Sequence, residues 1–156
     1  MDMTSKPVSP LEGLAAHYLA MPPVAALQPR VDNWEDGHLR LLAPLAANIN
    51  DKGCAFGGSM GSLMTLACWG LVRLELEQKG FDADIFVADS RVRYLKPVFE
   101  DLQIEAHFDD AGERVAMMDA LRRQGRASIR LKAQTLLTDG GVAATFVGRY
   151  VAIVRG

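Results

Sequence analysis

The stretch from Asn50 to Lys79, NDKGCAFGGSMGSLMTLACWGLVRLELEQK, constrains the fold more than any other part of the chain. It starts as a polar loop, passes through Gly57-Gly58, and becomes the longest apolar-periodic segment in the sequence. Met60, Leu63, Met64, Ala67, Leu71 and Leu74 fall on one helical face, which suits burial against a sheet. The opposite stripe of Gly58, Ser62, Thr65 and Trp69 is small and polar where the helix begins. Glycines there let another molecule approach the backbone N–H groups, at the end where the helix dipole favours negative charge.

The flanking segments supply the partners for this helix. Ser9 to Ala20 reads as a short amphipathic helix, capped by Ser9 with Pro10 in its first turn, and Pro22-Pro23 ends it. Two strand-like pieces follow, near Ala26–Asn33 and His38–Pro44, joined by a turn at Glu35-Asp36-Gly37. Gly80 is placed to close the long helix. From Asp84 the pattern changes to strands: Phe86, Ala88, Val92 and Tyr94 alternate with Asp89, Arg91 and Arg93 until Lys96-Pro97 breaks the run. Leu102 to Phe108 alternates cleanly. Glu113 to Gln124 fits a short helix or an irregular insert closed by Gly125. Ala127–Leu137 and Ala143–Val154 form two long strands around Asp139-Gly140-Gly141. One long apolar helix with about six strands and no strand–helix repetition predicts an α+β fold, an antiparallel sheet wrapped around the helix. The expectation is a single domain over 1–156, with its N-terminal helix at 9–20 and its core over 26–155. The long last strands would leave an open edge, so dimerisation by sheet extension is expected.

Composition narrows the function. A formal net charge of −2 excludes a nucleic-acid binder that relies on bulk positive charge. No apolar run is long enough to span a bilayer. The start, MDMTSKPVSP, lacks a basic region followed by an apolar one, so a cytoplasmic protein with free thiols is expected. Cys54 and Cys68 make no disulfide framework, and with His17, His38 and His107 they show no metal-ligand spacing, so neither metal nor cofactor is expected. Cys54 sits in a loop near a helix start, where a thiol pKa can fall, but no histidine is placed as its partner.

The element order, together with N-x-x-G-x-x-F-G-G from Asn50 to Gly58, resembles the hotdog-fold thioesterases. Asn50, Gly53, Gly57 and Gly58 match the N-x-x-G-x-x-H-G-G pattern of one branch, and ADSRVRYLKP (Ala88–Pro97) is similar to that branch's strand ending in Y-L/M-x-P. The NIN-x-KG…FGG motif, the tryptophan in the helix and the ADxxxRYLKP segment resemble most closely the thioesterase-like domain that some bacteria carry fused behind an acetyltransferase. The likeness covers roughly Leu39 to Val154. It implies a hotdog fold, a curved antiparallel sheet around a long central helix. It also implies active sites at a dimer interface, a homodimer or a dimer-of-dimers tetramer, and a thioester of coenzyme A or an acyl carrier protein (ACP) as substrate.

The candidate residues follow from the chemistry of thioester hydrolysis, which needs a donor to polarise the carbonyl and a base or nucleophile. In the resemblance the N–H of Gly57 polarises the acyl carbonyl, and Asn50 orients the water or the thioester. Asn50 could equally cap its own turn, and the glycines could serve packing alone. Thr65 stands where the relatives carry Asp or Glu, and Phe56 where they carry histidine. A threonine can position water but is a poor base. The replacement carboxylate is Asp89, unusual inside a strand, which is either catalytic or ion-paired with Arg91 or Arg93; Asp51 is a second candidate. Phe56, Gly58 and Ser62 would line the substrate path, and Arg91, Arg93 and Lys96 would meet an anionic carrier. Two further readings stay open. One is a non-catalytic module that binds acyl-CoA or acyl-ACP, favoured by the missing carboxylate at Thr65. The other is a hotdog dehydratase or hydratase, which would need a histidine from elsewhere.

Overall fold

A computed structural model of the chain describes residues 8–156. The reading of the extreme N-terminus falls mainly on 1–7, outside the described residues. Helix α1 (Pro10–Leu19) begins at Ser9, whose hydroxyl accepts from the Glu12 N–H at 3.2 Å. Pro22-Pro23 does more than end α1: it opens a single helical turn, α2 (Pro22–Ala25), because proline is well suited to the first turn of a helix. The first strand, β1 (Arg30–Glu35), therefore starts later than the apolar pattern suggests. It turns through Asp36 (φ 49°) and Gly37 (φ 71°) into β2 (His38–Ala43). Two successive positive φ values match the primed turn that suits twisted hairpins.

A 3-10 turn (Leu45–Ala47) leads through the Asn50 loop into α3 (Gly57–Gln78), the long central helix. Its C-terminus is closed by Gly80 (φ 81°), with the Phe81 N–H donating to the Leu76 carbonyl and the Gly80 N–H to Glu77, a Schellman closure. Strands β3 (Ala83–Tyr94) and β4 (Leu102–Phe108) follow. Glu113–Gln124, ambiguous as sequence, lies in a full helix, α4 (Ala111–Gln124), capped by the Asp110 carboxylate and ended by Gly125 at φ 71°. Strands β5 (Arg126–Leu136) and β6 (Val142–Val154) complete the chain.

All pairings are antiparallel, and the single six-stranded sheet runs β1-β2-β4-β5-β6-β3, so the long last strands, expected at an open edge, are interior and the edges are β1 and β3. It wraps α3, whose predicted apolar face (Met60, Leu63, Met64, Ala67, Leu71, Leu74) is buried throughout. The faces of β4 and β5 alternate as their sequences predict, with Leu102, Ile104, Ala106, Ile129, Leu131 and Ala133 turned toward the helix. This is the hotdog architecture.

Strand β3 departs from simple alternation. Its register against β6 slips between Val87 and Asp89, so Ala88 is the extra residue of a bulge. Before the bulge, Ile85 and Val87 pair with Ala152 and Tyr150 of β6, both buried against the helix. After it, Ser90, Val92 and Tyr94 occupy that face, and Asp89, Arg91 and Arg93 lie on the outer one, opposite Arg149, Val147 and Thr145. The bulge therefore decides which residues of β3 reach the helix.

Candidate functional site

The N-terminal end of α3 is built to stay open. Phe56 takes the cap position with no capping side chain, and the first intrahelical bond runs from the Met60 N–H to the Phe56 carbonyl at 3.1 Å. Among the described residues no acceptor engages the N–H of Gly57, Gly58 or Ser59. These are the orphan donors at the positive end of the helix dipole. The Tyr94 hydroxyl donates to the Gly57 carbonyl at 2.9 Å, fastening this end to β3. The Phe56 ring, more than half exposed, folds back over Gly58 so closely that a methyl group there would lie 2.6 Å from it.

Beside this end runs a groove of about 520 Å³. Gly58, Gly61, Ser62, Thr65 and Leu66 of α3 form one wall, Ser90 and Val92 of β3 a second, and Pro23, Val24 and Leu27 the third. Asn48 holds the third wall, because its side-chain amide donates to the Leu27 carbonyl at 2.9 Å and to Pro44 at 2.8 Å. The structure thus brings together Gly58, Ser62 and Thr65, with Phe56 and Gly57 at the groove's end. Thr65, which lines the groove, spends its proton on the Gly61 carbonyl at 2.8 Å, so its hydroxyl oxygen is left only as an acceptor.

The remaining candidates lie elsewhere. Asn50 organises its own loop: its side-chain oxygen accepts from the Lys52 N–H at 2.8 Å and the Cys54 N–H at 3.1 Å, and its amide donates to the Cys54 sulfur at 3.3 Å. Asp89 makes its ion pair with Arg149 at 3.0 Å, not with Arg91 or Arg93. A directly opposed cross-strand neighbour is nearer than the next same-face residue on one strand. Arg91 and Arg93 share that outer face, and Lys96 lies just beyond the strand. Asp51 is exposed and paired with Lys52 at 3.2 Å. Both cysteines are free and buried, and burial pushes the Cys68 thiol far up, away from nucleophilic use. No carboxylate and no histidine lines the groove among the described residues.

A larger open hollow of about 990 Å³ lies between α1, β1, β2 and β4 and is lined by Asp32, Arg40, Glu100 and Asp101. Three of its polar side chains help hold the fold: Asp101 accepts from the Leu45 N–H, Glu100 from Thr138, and Arg40 pairs with Glu105 outside it. What sets the smaller groove apart is that it lies beside the unpaired backbone N–H groups at the start of α3. Sequence reasoning missed Ser90 and named Val92 only as part of an apolar strand face; it read Asn48 only as part of the NIN motif, and the wall from α2 only as a helix stop.

Residues 15–154 match the family described as “Putative thioesterase (yiiD_Cterm)”. The chain belongs to this family. It is also similar to the “putative thioesterase” of Shewanella oneidensis, at 32% identity over 92% of this chain and 97% of that one, with a TM-score of 0.83. A protein of unknown function from Chlorobaculum tepidum shares 25% identity over 95% and 98% of the two chains, with a TM-score of 0.84. The Haemophilus influenzae thioesterase, 14% identical over 96% and 93% of the two chains with a TM-score of 0.75, shares the fold. The family and the fold make this chain a thioesterase-type hotdog protein. Among the described residues no helix is long and apolar enough to cross a membrane.

Proposed function

We propose that the protein hydrolyses acyl thioesters of coenzyme A or an acyl carrier protein. The observation that carries this reading is the uncapped start of α3 beside an apolar-walled groove. Thioester hydrolysis develops negative charge on the carbonyl oxygen, and the free N–H groups of Gly57, Gly58 and Ser59 supply fixed donors for it without reorganisation. The acyl chain lies along Val24, Leu27, Leu66 and Val92. Ser62, Thr65 and Ser90 hold the attacking water, with the Thr65 oxygen accepting from it. Asn50 acts indirectly, by shaping the loop that delivers Phe56 and Gly57. Arg91 and Arg93 lie on the outer face of β3, away from the groove, so within one protomer they do not meet a carrier entering it. Lys96, just beyond the strand, is the cation left for that role.

With no carboxylate in the groove, hydrolysis is slow for its class, since general-base assistance is typically worth 10²–10⁴-fold. The Arg149 pair favours a structural role for Asp89. The same lack of a base supports the second reading, an acyl-binding module. The hydratase reading gains no support from a groove without histidine.

The working unit in this proposal is a homodimer in the cytoplasm. β3 is an edge strand of 12 residues, paired on one side only, and it exposes Phe86 and Val87 by about half. An apolar unpaired edge of this length is a template for a second copy. Sedimentation at micromolar concentration should give a dimer or a tetramer; a clean monomer contradicts this part. For activity, purified protein mixed with a panel of acyl-CoAs should release thiol, read with a thiol reagent. Binding without turnover for every chain would install the binding-module reading in its place.

A further inference from the structure

Two hollows follow one another along the cleft between α3 and β3, and Trp69 is the first α3 residue to line the second. The groove described above spans Gly58 to Leu66 on the helix and Val92 to Ser90 on the strand. The next hollow, about 390 Å³, is lined by Trp69, Arg73 and Leu76 of α3 and by Ile85 and Ala83 of β3. Lining residues advance along the helix as they recede along the strand, so the hollows are successive stretches of one cleft. Trp69 is the next residue after Thr65 on the same helical stripe. Its indole N–H donates to the Ile85 carbonyl at 3.0 Å, which carries the ring from helix to strand. His17 of α1 stacks on it at 4.9 Å between centroids and 17° between planes, and the Arg73 guanidinium lies 5.9 Å from its centroid. Partial burial, aided by the Arg73 charge, holds His17 below its ordinary pKa.

The lining changes character across the ring. Before it come Val24, Leu27, Leu66 and Val92, with only the hydroxyls of Ser62, Thr65 and Ser90 among them; beyond it Arg73, Glu77, Asp82 and Arg155 stand among Leu76, Phe81, Ala83 and Ile85. Arg155 is paired with Asp82 at 2.7 Å and Asp84 at 2.8 Å. An alkyl chain gains by extending along the first stretch and loses by displacing water from the second.

We propose that Trp69 is the specificity-determining residue of the site: its indole, pinned to Ile85 and braced by His17, closes the acyl groove and sets the longest chain admitted. The proposal rests on the thioesterase reading above. Gly58 and Trp69 are separated by roughly 16 Å of helix axis, so an octanoyl chain fits in front of the ring and a palmitoyl chain does not.

The test uses the full chain with acetyl-, octanoyl- and palmitoyl-CoA. Turnover is read as thiol release, and binding as thermal shift with the matching non-hydrolysable thioethers. Wild type should prefer octanoyl to palmitoyl in either readout. Trp69→Ala and Trp69→Leu should move the palmitoyl-to-octanoyl ratio of kcat/KM, or of affinity, by at least about tenfold toward palmitoyl. Trp69→Phe should keep most of the wild-type ratio, and His17→Ala should move it less in the same direction. A merely structural tryptophan would lower Tm and leave the ratio alone. An unchanged ratio in folded Trp69→Ala or Trp69→Leu overturns the gate while the thioesterase reading stands, and so does a wild type that takes both chains equally. If neither of those variants folds, an unchanged ratio in His17→Ala overturns it. Absence of both turnover and binding for every chain overturns the thioesterase reading and the gate with it.

Discussion

The two ends of α3 belong to one helix and are treated in opposite ways. From Ala67 to Leu76 the helix is buried on almost every side; only Trp69 and Arg73 are partly open. At the far end the buried Glu75 carboxylate accepts from the Trp34 indole of β1 at 3.0 Å and from Arg114 of α4 at 2.8 Å, tying two elements to the helix. Gly70 lets α1 close in so tightly that the Tyr18 hydroxyl, bonded to the Leu66 carbonyl at 2.6 Å, occupies the space a side chain would need. At the near end the small residues Gly57, Gly58, Gly61 and Ser62 leave the backbone accessible, and the N–H groups of Gly57, Gly58 and Ser59 have no acceptor among the described residues. The anchored end holds the helix still. Donors at the open end can then be fixed in place without partners of their own. Stability and chemistry are separated along one element, and substitutions at the two ends should separate in the same way.

The largest effect belongs to the anchored end. Arg114→Ala leaves the Glu75 carboxylate buried without its cation and should cost about 3–5 kcal/mol of unfolding free energy in denaturant titration. Glu75→Gln should cost less, because the partly exposed Arg114 can return to water while an amide oxygen still serves Trp34. Equal costs for the two would show that the pair is not asymmetric as described. Next, Gly70→Ala gains helix propensity of about 1 kcal/mol but drives a methyl group into Tyr18, Leu14 and Leu39, so a net loss of about 1–2 kcal/mol is expected. Adding Tyr18→Phe should recover part of that loss, since removing the hydroxyl makes room. A double-mutant cycle with no coupling would contradict the packing account.

At the open end the pattern should invert. Gly58→Ala presses on the exposed Phe56 ring, which can swing aside, so the melting temperature should change little. The methyl group narrows the approach to the free N–H groups, and kcat/KM for an acyl-CoA should fall at least about tenfold, or about 1.4 kcal/mol at the barrier. A large drop in melting temperature with activity intact would place Gly58 with the packing glycines. The smallest effect is expected from Asp89→Asn. An exposed ion pair contributes about 0–1 kcal/mol, and turnover should stay within about threefold of wild type. A tenfold loss of kcat at unchanged stability would return Asp89 to the reaction as its base.

Periodicity carried most of the architecture, because a buried face repeats along an element and so marks the sequence many times over. The apolar stripe of α3, the alternation of β4 and the Asp36-Gly37 turn were legible for that reason. What stayed hidden depends on a single residue or on a distant partner. The bulge at Ala88 has no composition of its own, yet it takes Phe86 off the face it was expected to share with Val92 and Tyr94 and puts Ile85 and Val87 there instead. Glu75 looks like any helical surface carboxylate until α4 and β1, both far away in sequence, close over it. Helix α4 was ambiguous because its apolar contacts are few (Met117, Met118 and Leu121), set among charges; Asp110 and Gly125 mark its ends more clearly than its interior marks its type. Gly58, Ser62 and Thr65 could be grouped in advance because they share one helical stripe. Asn50 could not be placed, because an asparagine that orients a substrate and one that caps a turn look alike in sequence.

The central claim is that the free N–H groups at the start of α3 meet the acyl thioester. The most direct measurement is an amide NMR titration of the full chain with a non-hydrolysable octanoyl-CoA thioether. The largest shifts should fall on Gly57, Gly58 and Ser59, with smaller ones at Thr65, Ser90 and Val92 along the groove. Shifts confined to Arg30, Asp32, Arg40 and Gln103, with the α3 N-terminus unmoved, would put the ligand in the larger hollow and contradict the account.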